Sequence, residues 1–149
     1  GDKNINSMMW VMVSLLIILL MGLRYDVGGD WPNYLAYLDD AELLKNDLGK
    51  VLIVGNANGA AYMFINWIAV KLGLGIYFVN TICAVLFMVG LIKYCQRQPF
   101  PWIALAVGIP YLVLVVGMGY TRQAVALGFV FWHFFWSNNP IFVPIDAVP

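Results

Sequence analysis

Met8-Met-Trp-Val-Met-Val-Ser-Leu-Leu-Ile-Ile-Leu-Leu-Met-Gly-Leu23 carries neither a charge nor a proline. Working outward, the uncharged run extends over 4–23, and four more follow at 51–70, 72–92, 98–121 and 123–145. Each is close to the roughly 20 residues that an α-helix needs to cross a hydrocarbon core of about 30 Å. Over all 149 residues, 62% are apolar and 11% charged, with a mean hydropathy of +0.81. A soluble domain carries about 25% charged residues. The pattern therefore excludes an ordinary soluble enzyme and predicts an all-α polytopic integral membrane protein, with the lipid bilayer as its first partner. Eight basic residues balance eight acidic ones, which leaves no basic field for nucleic acid.

The remaining segments sort by punctuation. Met8 to Leu23 predicts the first spanning helix, with Trp10 near one interface. Residues 24–50 (RYDVGGDWPNYLAYLDDAELLKNDLGK) form the one polar stretch, with nine charges. Gly28-Gly29 breaks it. Asp30 before Trp31-Pro32 marks a helix N-terminus, since Asp caps and Pro is tolerated in the first turn. Trp31, Leu35, Leu38 and Leu44 then recur at helical spacing, predicting an amphipathic helix on the membrane surface. Residues 51–59 end in a Gly/Asn-rich turn. Ala60 to Leu72 is too short to span and predicts a re-entrant helix. Ile76 to Tyr94 and Trp102 to Val116 predict two more spans, the second kinked at Pro110. Gly117-Met-Gly119-Tyr-Thr-Arg122-Gln123 is a break, and Ala124 to Trp136 begins the last helix. About four spanning helices result, forming a single transmembrane domain over 1–149. The start at Gly1 and the tail spaced by Pro140, Pro144 and Pro149 give it the look of the N-terminal portion of a larger protein.

Basic residues of short loops mark the cytoplasmic side. Lys93 and Arg97 assign 93–98 there, whereas the 24–50 loop, with three basic and six acidic residues, fits the outer face. The two agree if 60–72 dips into the membrane and returns, although Lys71 then lies at the outer face. Arg24 and Arg122, each at a helix break, come out together on the outer side. An arginine there commonly does no more than snorkel. Arg122, however, precedes an apolar helix, so its guanidinium and the helix N-terminal amides can share one anion. With Arg24 it makes a site suited to phosphate or pyrophosphate through forked hydrogen bonds. Asp26 and Asp30 are candidates for a general base or for orienting an acceptor hydroxyl; solvation and capping are the plainer roles. His133 sits in an aromatic belt, and Cys83 and Cys95 read as helix-facing residues. No metal-ligand spacing, nucleophile elbow or phosphate loop occurs, so neither metal nor cofactor is called for.

Gly22-Leu-Arg-Tyr-Asp-Val-Gly-Gly-Asp-Trp-Pro-Asn-Tyr34 resembles the signature that follows the first helix in the EpsG family of membrane polysaccharide polymerases. Ala61-Tyr-Met-Phe-Ile-Asn66-Trp, Phe78-Val-Asn80 and Gly119-Tyr-Thr-Arg122-Gln123-Ala-Val-Ala126 resemble later blocks of that family, over about residues 8–136. Members commonly place an acidic residue and Pro before the Tyr, where this chain has Asn58-Gly-Ala-Ala-Tyr62; an acid at that place is missing here, and Asp30 is the candidate to replace it. The resemblance implies a glycosyltransferase-type polymerase of the bacterial inner membrane. Its substrate would be an undecaprenyl-pyrophosphate-linked oligosaccharide and its product exopolysaccharide, capsule or O-antigen, in company with other polysaccharide export proteins. It also implies catalytic roles for Arg24, Asp30 and Arg122, and substrate binding by Asp26, Tyr34, Tyr62, Tyr120 and Gln123. A transporter or flippase subunit for a lipid-linked glycan would use the same arginines for an anion in transit, and a structural membrane subunit would need neither.

Overall fold

The computed structural model describes residues 2–137; the Pro-spaced tail lies outside them. Seven helices follow one another: α1 (Asp2–Gly22), α2 (Trp31–Leu43), α3 (Leu48–Asn58), α4 (Ala60–Lys71), α5 (Ile76–Gln96), α6 (Pro101–Gly108), which runs on as a π-helical stretch (Ile109–Gly117), and α7 (Thr121–Trp136). No strand occurs among the described residues.

Among the described residues, α1 from Asn4 and the whole of α5 are the two helices long and apolar enough to cross a membrane. Along α1 the side chains of Met8, Met12, Leu15, Leu16 and Leu19 stay about half exposed or more. Such a face is stable only against lipid or another protein. Sequence alone suggests about four spans, but Pro101–Gly117 and α7, at 16 residues, fall just short of that length. Pro110 falls where the α-helical hydrogen bonding of Pro101–Gly108 gives way to the π-helical stretch; having no N–H, it cannot donate to the α-helical ladder at that point.

α5 is the hub, with Val79, Cys83, Phe87 and Met88 buried. α7 crosses it where Gly128 faces the main chain of Leu86 and Phe87, so closely that an added Cβ would lie 2.8 Å from the Leu86 oxygen. Only a residue without a side chain permits that approach, and small residues are what membrane helices use for it. At one end of the bundle Trp10 stacks on Trp102 at 4.1 Å and the Trp102 indole donates to Asn6 at 3.1 Å. Arg97 at the same end donates to the carbonyls of Phe134 and Ser137, closing the C-terminus of α7. Arg24 and the start of α7 lie at the opposite end.

Residues 51–58 are helical, and the turn expected at the end of this stretch is confined to Gly59. They belong to α3, which Asp47 starts by accepting from the Lys50 N–H at 3.1 Å. Gly59, at φ +96°, then reverses the chain into α4. Val51 and Met63 pack together with Ala41, and the Trp67 indole donates to the Lys45 carbonyl at 3.0 Å, so α3 and α4 form an antiparallel hairpin. At 11 and 12 residues, each arm is about 17 Å long, roughly half a hydrocarbon core. The helix placed at 60–72 from sequence is thus one arm of a hairpin. α2 packs on it through Trp31, Tyr34 and Ala41, while Leu35 is 39% exposed. The buried stripe follows the aromatic residues rather than the leucines, because Tyr34 meets the ring of Tyr62 at 5.5 Å.

Candidate functional site

The break between the π-helical stretch and α7 organises the site. A helix that ends leaves its last carbonyls unpaired, and one that starts leaves its first N–H groups unpaired. Arg24, leaving α1, enters this gap and is only 5% exposed. Its Nη1 donates to the Gly117 carbonyl at 2.7 Å, and its Nη2 donates to the Thr121 hydroxyl and to Asn80 Oδ1 at 3.4 Å. One guanidinium therefore ties the end of one helix, the start of the next and the second turn of the hub to the loop after α1. The loop itself reaches the break because Gly28, at φ +95°, has no side chain: a Cβ there would lie 2.7 Å from the Gly119 carbonyl.

Among the described residues no carboxylate pairs with Arg24. Burial pulls its pKa below the ordinary value, yet a guanidinium remains protonated. A buried cation at the N-terminal end of a helix thus adds to the positive end of that helix's dipole. Arg122 brings a second cation to the same place. It is half-buried in the first turn of α7, next to the Thr121 that Arg24 holds, and its guanidinium lies 5.1 Å from the centre of the Tyr37 ring. The N-cap residue Tyr120 gives α7 no side-chain cap. The two arginines inferred from sequence to share one side of the membrane do lie at the same end of the bundle.

Tyr34 belongs to both. Burial raises the pKa of its phenol, and the Arg122 main chain, Thr121 and the Arg122 charge oppose the rise in part while Asp30 adds to it. The hydroxyl is therefore protonated at neutral pH. It faces the Arg122 N–H and the Thr121 hydroxyl without completing a hydrogen bond to either. Tyr62, 3% exposed, lies behind it.

The other candidates are more open. Asp30 holds the N-cap position of α2, and its carbonyl accepts from the Tyr34 N–H at 3.1 Å. Its carboxylate makes no capping bond, because its backbone (φ −91°, ψ 3°) is not in the extended region that aims a cap side chain at the first turn. It accepts instead from the Asn33 amide at 3.4 Å. Asp26 is exposed at φ +49°. Tyr120, 41% exposed, and Gln123 flank Arg122 on the surface. Sequence reasoning gave no role to Thr121, Asn80 or Tyr37. The signal for Asn80 was available: an amide alone in an apolar helix costs too much to stand without a partner.

A family model described as the EpsG family matches residues 7–144. The chain belongs to the EpsG family. That family is one of Wzy-like polymerases, linked to exopolysaccharide, and with its two long apolar helices this EpsG protein is a membrane protein. No curated protein and no solved structure matches it. The match spans both the loop that carries Arg24 and the helix that carries Arg122.

Proposed function

We propose that this EpsG protein polymerises lipid-linked oligosaccharide repeat units at the outer face of the bacterial inner membrane, as a multi-pass protein whose α3–α4 hairpin dips into the bilayer and returns. The growing chain on undecaprenyl pyrophosphate is the donor. A sugar hydroxyl of the next lipid-linked unit attacks the donor's anomeric carbon, the bond from that carbon to the phosphate oxygen breaks, and undecaprenyl pyrophosphate leaves with the electron pair. The proton of the attacking hydroxyl passes to a base, for which Asp30 is the candidate.

The observation that carries this reading is the convergence of Arg24 and Arg122 on the uncapped start of α7. Pyrophosphate is already a good leaving group, so positioning and charge stabilisation are the main tasks. Arg122, the N–H groups of α7 and the Tyr34 hydroxyl are suited to bind its oxygens, since all three are donors gathered at the start of α7. Arg24, buried on three protein oxygens, positions them by fixing Thr121. Asp26, Tyr120 and Gln123 line the approach for the saccharide.

Arg122→Lys tests the proposal. It keeps the charge but loses the planar fork. Losing such a contact to a developing anion costs about 3–4 kcal/mol, so polymer formation by membranes with matched protein levels should fall on the order of a hundredfold or more. An unimpaired Lys variant would reduce Arg122 to a membrane anchor. Movement of lipid-linked sugar across vesicles without chain growth would identify a flippase subunit.

A further inference from the structure

Behind the arginines, five buried side-chain atoms have no hydrogen-bond partner among the described residues: Arg24 Nε, Tyr34 Oη, Tyr62 Oη, Asn66 Oδ1 and Asn80 Nδ2. Their residues are at most 5% exposed. Folded proteins leave few such atoms, and each needs an explanation. These five are neighbours. The Tyr34 and Tyr62 rings are 5.5 Å apart, Arg24 donates to Asn80 at 3.4 Å, and Asn66 lies one helical turn beyond Tyr62, whose hydroxyl comes near it without completing a hydrogen bond.

The amide orientations are fixed by their partners. Asn66 Nδ2 donates to the Tyr62 carbonyl at 2.9 Å, so its oxygen is the free acceptor. Asn80 Oδ1 is taken by Arg24, so its nitrogen is the free donor. The set therefore offers two donors, one acceptor and two phenols that do both. A phosphate oxygen only accepts; it would suit Arg24 and Asn80 but leave Asn66 Oδ1 opposed to like charge. A hydroxyl accepts and donates at once. Sugar and water share that chemistry, and Tyr34 joins this cluster directly to the Arg122 end, where an attacking sugar hydroxyl has to lie.

We propose that Tyr62, Asn66, Asn80 and Arg24 Nε form a hydroxyl-binding subsite, bounded by Tyr34, that takes a sugar hydroxyl of the acceptor unit. This rests on the polymerase activity proposed above and separates the acceptor contacts from the pyrophosphate contacts.

Tyr62→Phe is the sharp test, because it removes a partnerless hydroxyl and nothing else. A buried polar group without a partner is a cost to the fold, so the unliganded variant should melt at the same temperature or higher. With the full chain in lipid vesicles, preformed lipid-linked polymer serves as donor. Lipid-linked repeat unit extracted from cells lacking the protein is the varied acceptor. The acceptor concentration giving half-maximal rate should rise about tenfold, the equivalent of one lost hydrogen bond, while inhibition by added inorganic pyrophosphate stays unchanged. Asn66→Leu should act in the same direction. An unaltered acceptor dependence in both variants would mean that water fills the cluster and would overturn the subsite, as would a lowered melting temperature of Tyr62→Phe. Arg122→Lys should instead weaken pyrophosphate inhibition. If Arg122→Lys loses activity and Tyr62→Phe does not, only the subsite falls; a wild-type chain that makes no polymer overturns both proposals.

Discussion

Arg24 and Asp30 show how far a residue's neighbours decide its work. Both stand in the loop that sequence marks as the polar one, and both are single charges near a helix end. Arg24 is drawn into the protein because three oxygens await it at the break before α7. Asp30 stays at the rim, half-buried, with one amide partner. Its carboxylate gives α2 no cap, so a neutral side chain of the same size takes nothing from helix stability. Asp30→Asn should accumulate and melt like the wild type, since Asp and Asn differ by a few tenths of a kcal/mol even where they do cap. It should nevertheless lose most polymer if the negative charge orients or deprotonates the acceptor. Asp26→Asn, in the same loop but exposed, should show the smaller effect. Polymer yields at matched protein level check the pair, and equal yields for wild type and Asp30→Asn remove Asp30 from the site.

Among the elements, the α3–α4 hairpin departs furthest from its sequence signature. Gly55 and the Asn-rich run before Gly59 look like a turn because glycine and asparagine are poor helix formers. Packing of Val51 against Met63 and Ala41 overrides that weak preference. The start of α3 depends on Asp47, whose carboxylate accepts the Lys50 N–H and lies 3.4 Å from the Lys50 ammonium. Chiefly the main-chain bond holds its pKa below the ordinary carboxylate value. A carboxylate whose folded pKa is depressed stabilises the fold above its unfolded pKa, and the contribution disappears as the pH falls through the folded value. Acidification should therefore fray the first turn of α3 while α5 is unaffected, with a lower protection factor at the Lys50 amide, taken against the unstructured-chain exchange rate at the same pH, as the measure. Asp47→Ala should show the low protection already at neutral pH and no further loss on acidification.

For the whole molecule, α5 and α7 run in one direction with α1 and the 101–117 segment against them, which places the two-arginine end opposite the Arg97 end. Lys93 and Arg97, both close to the Phe135 ring, are the basic residues of the last turn of α5 and the short turn after it, at the latter end. By the distribution of basic residues it should face the cytoplasm. In a chain whose buried Cys83 and Cys95 are replaced by Ala, a cysteine at the exposed position 39 should react with an impermeant reagent added outside intact cells, and one at position 96 should not. The reverse pattern would put the arginines on the cytoplasmic side and exclude transfer at the outer face.

Sequence by itself determined the class of this protein and, to within two residues, the end of α1 and the extent of α5. Sustained apolar runs have few alternatives to helices in lipid, where every backbone group must be satisfied within its own segment. It also grouped Arg24, Arg122 and the tyrosines as candidates, through short motifs whose order along the chain is their only link. What joins them was decided by tertiary structure. Thr121, Asn80 and Gly117 are held by Arg24 only because α1, α5, the π-helical stretch and α7 end at one level. The buried stripe of α2 goes to Tyr34 rather than Leu35 only because Tyr62 comes back through the hairpin to meet it. Periodicity reports which residues share a face of one helix. It carries no information about which partner that face will find, and the partner is what turns a charge near a helix end into an anchor, a clamp or a site.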